Sequence, residues 1–352
     1  MMSAPSLLPH PRRLVEIGPH AGAHRVALRA ALAIGIPLVG LAVAGHLELS
    51  LYAVFGAFTA LYGRTHAHLP RLRMQATAAV ALVSAVTLGA AIGVSPARDW
   101  LVVPIAAAVA GVTTVLSDAL QWHPPGALFF VFALAACASV PTSAPQVATA
   151  FVLAAASALL AMVISTVGLV RRGARRRPGI AADRAGPGFA EVARRPGELA
   201  KAALVAGAAI VAGAIPTATG LGHPYWAMVA AVATLGAADA TGHLVRAGHR
   251  VLGTLLGVLL AGAILAVSTD ARVLIAAAIL LQLGAELFVM RNYGLTMVFV
   301  TPLALIMTQL AHPQPEFALL RDRALETLLG AAVAIALSLL LALRARRKRR
   351  MV

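Results

Sequence analysis

Two carboxylates lie at the ends of apolar stretches of the sequence, where a charged side chain is costly. Asp118 closes the stretch 100–118, and Glu286 lies near the end of 272–289. A charge inside hydrocarbon costs at least ~2.5 kcal/mol, so such a group normally has a partner or a task. One interpretation is a pair that binds protons or a cation and couples it to transport. The alternative is a pair of interfacial carboxylates that reach water, with Arg291 neutralising Glu286.

Two arginines begin the same short pattern, Arg-x-x-x-Thr. Arg73 precedes Thr77, and Arg250 precedes Thr254. A guanidinium can bind a carboxylate through two parallel hydrogen bonds, so either arginine could hold Asp239 or an organic-acid substrate. The alternative is that both arginines only fix the topology. Asp239 itself is interpreted as an ion-pair partner rather than as a proton carrier.

An aromatic pair, Tyr225 and Trp226, begins another apolar stretch directly after His223-Pro224. Amphipathic rings concentrate where a membrane meets water, so we interpret the pair as part of an aromatic belt at the outer end of a span. The alternative is a stacking surface for an aromatic ligand.

Motifs of soluble enzymes are missing from the sequence, which contains no P-loop, dinucleotide glycine fingerprint, HExxH or GxSxG. His66 with His68, and His243 with His249, lack carboxylate or cysteine neighbours that would suggest a metal site. Cys137 is the only cysteine, which excludes a disulfide within the chain. We therefore expect no catalysis, no cofactor and no metal.

The composition is that of a membrane protein, with 60% hydrophobic residues, 12% charged residues and a mean hydropathy of +0.86. Soluble domains carry about 25% charged residues. Apolar stretches of about 15–25 residues recur along the chain, which is the signature of spanning helices. We predict an all-α membrane protein with about twelve transmembrane helices, at 26–44, 48–63, 75–94, 100–118, 125–140, 145–170, 199–215, 222–238, 251–268, 272–289, 293–310 and 324–343.

The positive charges support this map and orient it. If both termini are cytoplasmic, all of the 29 Lys and Arg residues lie inside except Arg98, Arg272, Arg321 and Arg323. Such a partition is typical of a cytoplasmic membrane, where basic loops stay inside. The formal net charge of +16 then indicates contact with anionic lipids rather than with nucleic acid.

The two halves of the chain resemble each other, which predicts an internal repeat. Tyr52 aligns with Tyr225, and Asp118 aligns with Glu286. Since each half has an even number of spans, the six-helix repeats are parallel, and we expect the substrate route to run between them. The alternative is a duplication that retains no path. The predicted division is an N-terminal segment 1–24, a first repeat 25–170, a basic linker 171–200, a second repeat 201–343 and a basic tail 344–352.

Two motifs in the second half carry a family resemblance. The first motif is the stretch His223–Ala227, and the second is the run Arg-x-x-Gly-Thr-x-x-Gly over Arg250–Gly257. Together they resemble the fusaric acid resistance protein-like (FUSC) family of aromatic acid exporters. The resemblance is strongest over 220–265. In the first half, Ala76 replaces the glycine of the second motif.

The resemblance implies an inner-membrane protein that exports aromatic carboxylic acids or related toxic compounds, driven by the proton gradient. The expected substrate is then a small organic or aromatic acid. The resemblance is compatible with a homo-oligomer and does not decide the oligomeric state. Larger members have a substantial cytoplasmic domain where this chain has only the linker. Three alternatives stay open: a non-transporting membrane scaffold or subunit, an anion channel, and a major-facilitator-like transporter suggested by the loop from Gly63 to Arg73.

Overall fold

A computed structural model describes residues 16–19, 22–64, 66, 68–170, 186–237 and 239–350 of the chain. Within these ranges every regular element is a helix, because apolar side chains and a backbone without water leave few other structures open to the chain. The predicted all-α class is confirmed for the described residues.

Twelve principal helices follow one another, six on each side of the linker. The first half contains α1 (Ala23–Ala44), α2 (Ser50–Ala57, flanked by 3-10 turns at Leu47–Leu49 and Phe58–Leu61), α3 (His68–Gly93), α4 (Arg98–Ala119), α5 (Leu128–Ala138) and α6 (Ala144–Val170). The second half contains α7 (Glu198–Thr219), α8 (Pro224–Thr234), α9 (Ala240–Val267), α10 (Ala271–Phe288), α11 (Tyr293–Ala311) and α12 (Glu316–Arg350), and a turn of helix at Phe189–Ala193 precedes α7.

Among the described residues, nine helices are long and apolar enough to cross a membrane. The other three are α2, α5 and α8. Eleven residues, the length of α5 and of α8, rise only about 16 Å, whereas the hydrocarbon core is about 30 Å thick. The chain is therefore a polytopic helical membrane protein, but the predicted count of twelve full spans is not confirmed.

The three short helices lie inside the bundle. Every residue of α8 from Tyr225 to Thr234 is buried, whereas the long helices keep exposed apolar faces. Glycines allow the close packing this requires. A Cβ at Gly330 of α12 would lie 2.2 Å from the carbonyl oxygen of Ala227 in α8, and one at Gly56 of α2 would lie 2.2 Å from that of Ala154 in α6.

The helices of each half have matching neighbours. In the first half α3 packs on α5 and α6, and α2 packs on α6; in the second half α9 packs on α11 and α12, and α8 packs on α12. Between the halves, α1 packs on α10 and α4 packs on α7, while the short helices α5 and α8 meet at the centre.

A Gly-Pro segment precedes each half and crosses to the other half. The backbone N–H of Gly18 donates to the carbonyl of Arg291 at 3.0 Å, and the Arg291 Nε donates back to the Gly18 carbonyl at 2.9 Å. Gly186 lies so close to the end of α4 that a Cβ would be 2.1 Å from the carbonyl oxygen of Ala119. We call these two segments, Gly18-Pro19 and Gly186-Pro187, the cross-straps. Residues 171–185 of the predicted linker lie outside the described residues.

One helix begins earlier than expected. The predicted last span starts at residue 324, but α12 starts at Glu316. Arg323, which the charge partition assigned to an outer loop, is therefore inside a helix and only 2% exposed. The hydropathy pattern began the span too late because it treats each charged residue as a boundary, whereas Asp322 and Arg323 face the protein interior.

Candidate functional site

Three charged residues of the first turns of α12 are buried. Asp322, Arg323 and Glu326 are 3%, 2% and 0% exposed. Buried charges are costly unless they are paired or serve a purpose. The sequence prediction missed all three. A signal was present, because Arg323-x-x-Glu-Thr-x-x-Gly330 has the spacing of the motif that begins at Arg250.

Arg323 has an aromatic neighbour but lacks acceptors. Its guanidinium carbon lies 5.2 Å from the centroid of the Trp226 ring, and the imidazole of His223 stacks on the same indole at 4.3 Å. Within the described part of the chain, neither Nε nor Nη1 of Arg323 has a hydrogen-bond partner, and the same holds for the indole N–H of Trp226. A guanidinium has five N–H donors and no acceptor, so this group is suited to an anion.

The two carboxylates of α12 bind the beginning of the short helix α8. The backbone N–H of His223 donates to Oε1 of Glu326 at 2.9 Å, and that of Gly222 donates to Oδ2 of Asp322 at 3.2 Å. Negative groups are stabilising at a helix N-terminus, where N–H groups lack intrahelical partners. Asp322 is also paired with Arg321 at 2.7 Å, whereas Oε2 of Glu326 has no partner among the described residues.

A second buried arginine faces the same interior. Arg250 of α9 is 2% exposed, and its Nη1 donates to the hydroxyl of Tyr293 at 2.9 Å. The guanidinium of Arg246 lies over the Tyr293 ring at 4.4 Å. Arg250 is close enough to repel the charge of Arg323, and Glu326 is close enough to attract it. The cluster therefore contains more positive than negative charge, since Asp322 already has Arg321 as its partner.

A cavity of about 320 Å³ borders this cluster through His223. It lies at the end of the bundle where α12 begins, between the end of α5, the beginning of α8 and the end of α11, and His223 and Tyr225 form part of its wall. Burial lowers the pKa of His223, although the nearby carboxylate of Asp322 opposes the shift. The imidazole is therefore neutral at pH 7.

Asp118 and Glu286, the two carboxylates singled out in the sequence, lie at separate interfaces. Asp118 pairs with Lys201 of α7 at 2.5 Å, and Glu286 pairs with Arg64, which follows α2. Each acid therefore binds a cation of the other half. The expectation that Arg291 neutralises Glu286 is wrong, because the Arg291 Nε donates to a backbone carbonyl of a cross-strap. No sequence pattern joins Arg64 to Glu286, because they meet only through tertiary packing.

The two Arg-x-x-x-Thr motifs have different environments. Arg73 and Thr77 are exposed at the surface of α3, and the Thr77 hydroxyl accepts a hydrogen bond from the Trp122 indole at 2.9 Å. Thr254 is fully buried and lies 3.4 Å from the hydroxyl of Thr301. Only the second motif contributes its arginine to the buried cluster.

Two further expectations are corrected. Asp239 is the N-cap of α9, accepting from the backbone N–H of Gly242 at 2.6 Å, and Arg250 binds a tyrosine hydroxyl instead of Asp239. Short acidic side chains favour N-cap positions, and this preference decides the role of Asp239. Tyr225 and Trp226 are 4% and 0% exposed, so they do not form an aromatic belt. Composition alone cannot distinguish an interior aromatic pair from an interfacial one.

The described fold and the buried cluster define a polytopic membrane protein with charged groups inside its helix bundle, the arrangement of a transporter or channel rather than of a soluble enzyme. Residues 209–337 match the sequence profile of the family described as fusaric acid resistance protein-like. The matched part, from within α7 to within α12, agrees with the family resemblance of the motifs, and it contains Arg250, Arg323 and Glu326. No curated protein and no solved structure matches the chain.

Proposed function

We propose that the protein is a proton-coupled transporter that exports small organic anions, in particular aromatic carboxylic acids, across the cytoplasmic membrane. The observation that carries the proposal is the buried guanidinium of Arg323, which lies beside Trp226 and whose Nε and Nη1 have no acceptor among the described residues. The family match over 209–337 supports the same class of function.

The chemistry of the cluster suits an aromatic carboxylate. The guanidinium of Arg323 binds a carboxylate through two hydrogen bonds, and each charge-assisted bond is stronger than a neutral one. Trp226 lies beside Arg323, and its indole together with the ring of Tyr225 supplies aromatic contacts for the ring of a ligand. A scaffold would have no need to bury two arginines with so few acceptors, since hydrophobic residues pack at lower cost.

The architecture supports a route through the centre of the bundle. We propose that the halves are parallel six-helix repeats, because the helices of each half have the same neighbours. Broken or short helices at the midplane are typical of transporter binding sites. The short helices α2, α5 and α8 are flanked by backbone that is not α-helical. At membrane depth such backbone is tolerated only where protein buries it or where it lines a cavity. The distribution of Lys and Arg favours cytoplasmic termini, and we propose on that basis that the cavity beside His223 faces the outer side.

The test is transport of radiolabelled benzoate by the purified full-length protein in proteoliposomes. The wild type should release preloaded benzoate, and Arg323→Gln should bind benzoate ~10–100-fold more weakly, because charged hydrogen bonds contribute about 1.5–3 kcal/mol. Arg272→Gln is the matched control, since Arg272 is exposed and lies at the start of α10. No flux and no binding by the folded wild type would refute the proposal and favour a scaffold.

Two refinements can be separated in the same vesicles. A channel would carry benzoate current that follows the membrane potential without proton movement. The prediction that Glu286 and Asp118 bind the coupling proton is tested by Glu286→Gln. If that variant couples proton and benzoate movement as the wild type does, the carboxylate only joins the two halves.

A further inference from the structure

We infer that the transported anion binds Arg323 next to Glu326, so that Glu326 must bind a proton before the anion can bind. The inference rests on the proposed function and assigns the coupling group of the same site. It concerns a residue that neither the motifs nor the predicted carboxylate pair includes.

The charges around Glu326 leave it as the internal counter-ion of the cluster. On its own helix it is flanked by Asp322, which is paired with Arg321, and by Arg323, which has no ion-pair partner among the described residues. Two groups of neighbouring helices also act on this cluster. Tyr225 of α8 lies close enough to feel the charge of Glu326, and Arg250 of α9 lies close enough to repel Arg323. Tyr293 of α11 is bound to Arg250, and the charged residues of α7 lie in its first turn, at the opposite end.

An arriving carboxylate changes this balance. It would bind the Nε and Nη1 donors of Arg323 that have no acceptor in the described chain, and its charge would then lie next to the fully buried Glu326. Two carboxylates that share one buried site cannot both stay ionised, because like charges at short range in a low dielectric raise each other's proton affinity. The balanced event is therefore one anion bound to Arg323 and one proton bound to Oε2 of Glu326.

The structure also provides a route for that proton. Oε1 of Glu326 is held by the backbone N–H of His223, whose side chain lines the outer cavity and lies 3.5 Å from the carboxylate of Asp322. The imidazole borders both the cavity and Asp322, so a proton that enters from the cavity comes close to the buried carboxylates of α12. Because Oε1 is already used as the cap of α8, the partnerless Oε2 is the atom that accepts the proton.

This arrangement fixes the sign of the coupling. Binding of a proton to Glu326 increases the affinity for the anion, and by linkage the anion increases the affinity for the proton. Proton and anion therefore move in the same direction. Export of the acid therefore follows its own outward gradient and carries a proton outward, in contrast to antiport, in which an entering proton would displace the anion.

The experiment measures benzoate binding to the purified protein at pH 5 to 9 by quenching of tryptophan fluorescence. The wild type should bind more weakly as the pH rises, by up to tenfold per pH unit, since one proton is linked to each anion. Glu326→Gln should bind at pH 8 as tightly as the wild type does at its acidic limit, without a pH slope. An amide oxygen still accepts from the His223 N–H, so this variant retains the cap of α8. Glu316→Gln, a less buried acid on the same helix, should behave as the wild type.

A second readout is proton uptake when benzoate is added in weakly buffered solution with a pH indicator dye. About one proton per bound benzoate is expected for the wild type and none for Glu326→Gln. Proton release, or an unchanged pH slope in Glu326→Gln, would overturn this inference while leaving anion transport intact. Failure of the folded wild type to bind benzoate at every pH would overturn the proposed function and this inference together.

Discussion

The ion pair between Arg64 and Glu286 should contribute far more to stability than the pair between Lys201 and Asp118. Both pairs join the two halves, but their burial differs. The side chains of Arg64 and Glu286 are 10% and 5% exposed, whereas those of Lys201 and Asp118 are 49% and 28% exposed. Removing one partner of a buried pair costs about 3–5 kcal/mol because it leaves an uncompensated charge. An exposed pair contributes about 0–1 kcal/mol.

The perturbations are Arg64→Gln and Lys201→Gln, which remove one positive charge each. Arg29 also acts on Glu286 and compensates in part for the loss of Arg64, so the lower end, about 3 kcal/mol, is the expected cost of Arg64→Gln. For a chain of this size that cost lowers the apparent Tm by about 4 °C. Lys201→Gln should lower it by about 2 °C or less.

The assay is thermal unfolding in detergent, followed by intrinsic fluorescence at a fixed scan rate. The control is the double variant Arg64→Gln, Glu286→Gln, which should be more stable than Arg64→Gln alone because no buried charge is left without a partner. Equal Tm losses for Arg64→Gln and Lys201→Gln would refute the argument from burial. A double variant less stable than either single variant would refute the argument from the unpaired carboxylate.

Three further predictions concern the second half. Trp226→Leu should lower benzoate affinity ~2–10-fold while leaving cyclohexanecarboxylate affinity nearly unchanged in competition binding, because ring stacking contributes about 0.5–1.5 kcal/mol. Burial lowers the pKa of His223, so between that pKa and about 6.5 the unfolded state binds more protons than the folded state. The contribution of His223 to stability is therefore complete above about pH 6.5 and is lost as the pH falls below it. We expect His223→Asn to lessen the fall in Tm that the wild type shows between pH 7 and pH 5. Gly330→Ala should cost about 1–3 kcal/mol in unfolding measurements because its Cβ would lie 2.2 Å from a backbone oxygen of α8, whereas Gly207→Ala, with no atom within 4 Å, should not destabilise the protein.

The helices were predictable because lipid imposes a simple rule on sequence. Each of the twelve predicted apolar stretches overlaps one of the twelve principal helices. A hydropathy pattern does not say which helices contact lipid, so it could not show that α8 is buried throughout. For the same reason it assigned Trp226 to a membrane surface when that side chain is 0% exposed.

The candidate site was predictable only in part. Arg250 was found because a motif marks it, and Arg323 was missed because a charge near the edge of an apolar stretch resembles a loop residue. The pairing of Arg64 with Glu286 depends on how α1, α2 and α10 pack, and local sequence contains no information on that contact. The family resemblance pointed to the second half, which contains the candidate site. It did not show that Arg250 is buried whereas Arg73 is exposed.

The cross-straps have a consequence for the order in which the protein assembles. Gly18 and Arg291 are 273 residues apart in sequence, yet they exchange two hydrogen bonds. During synthesis the N-terminal segment emerges first and has no docking partner until the loop after α10 has been made. The interface between α1 and α10 is therefore among the last to close. Until then, the first six helices must wait in the membrane with one side exposed to lipid.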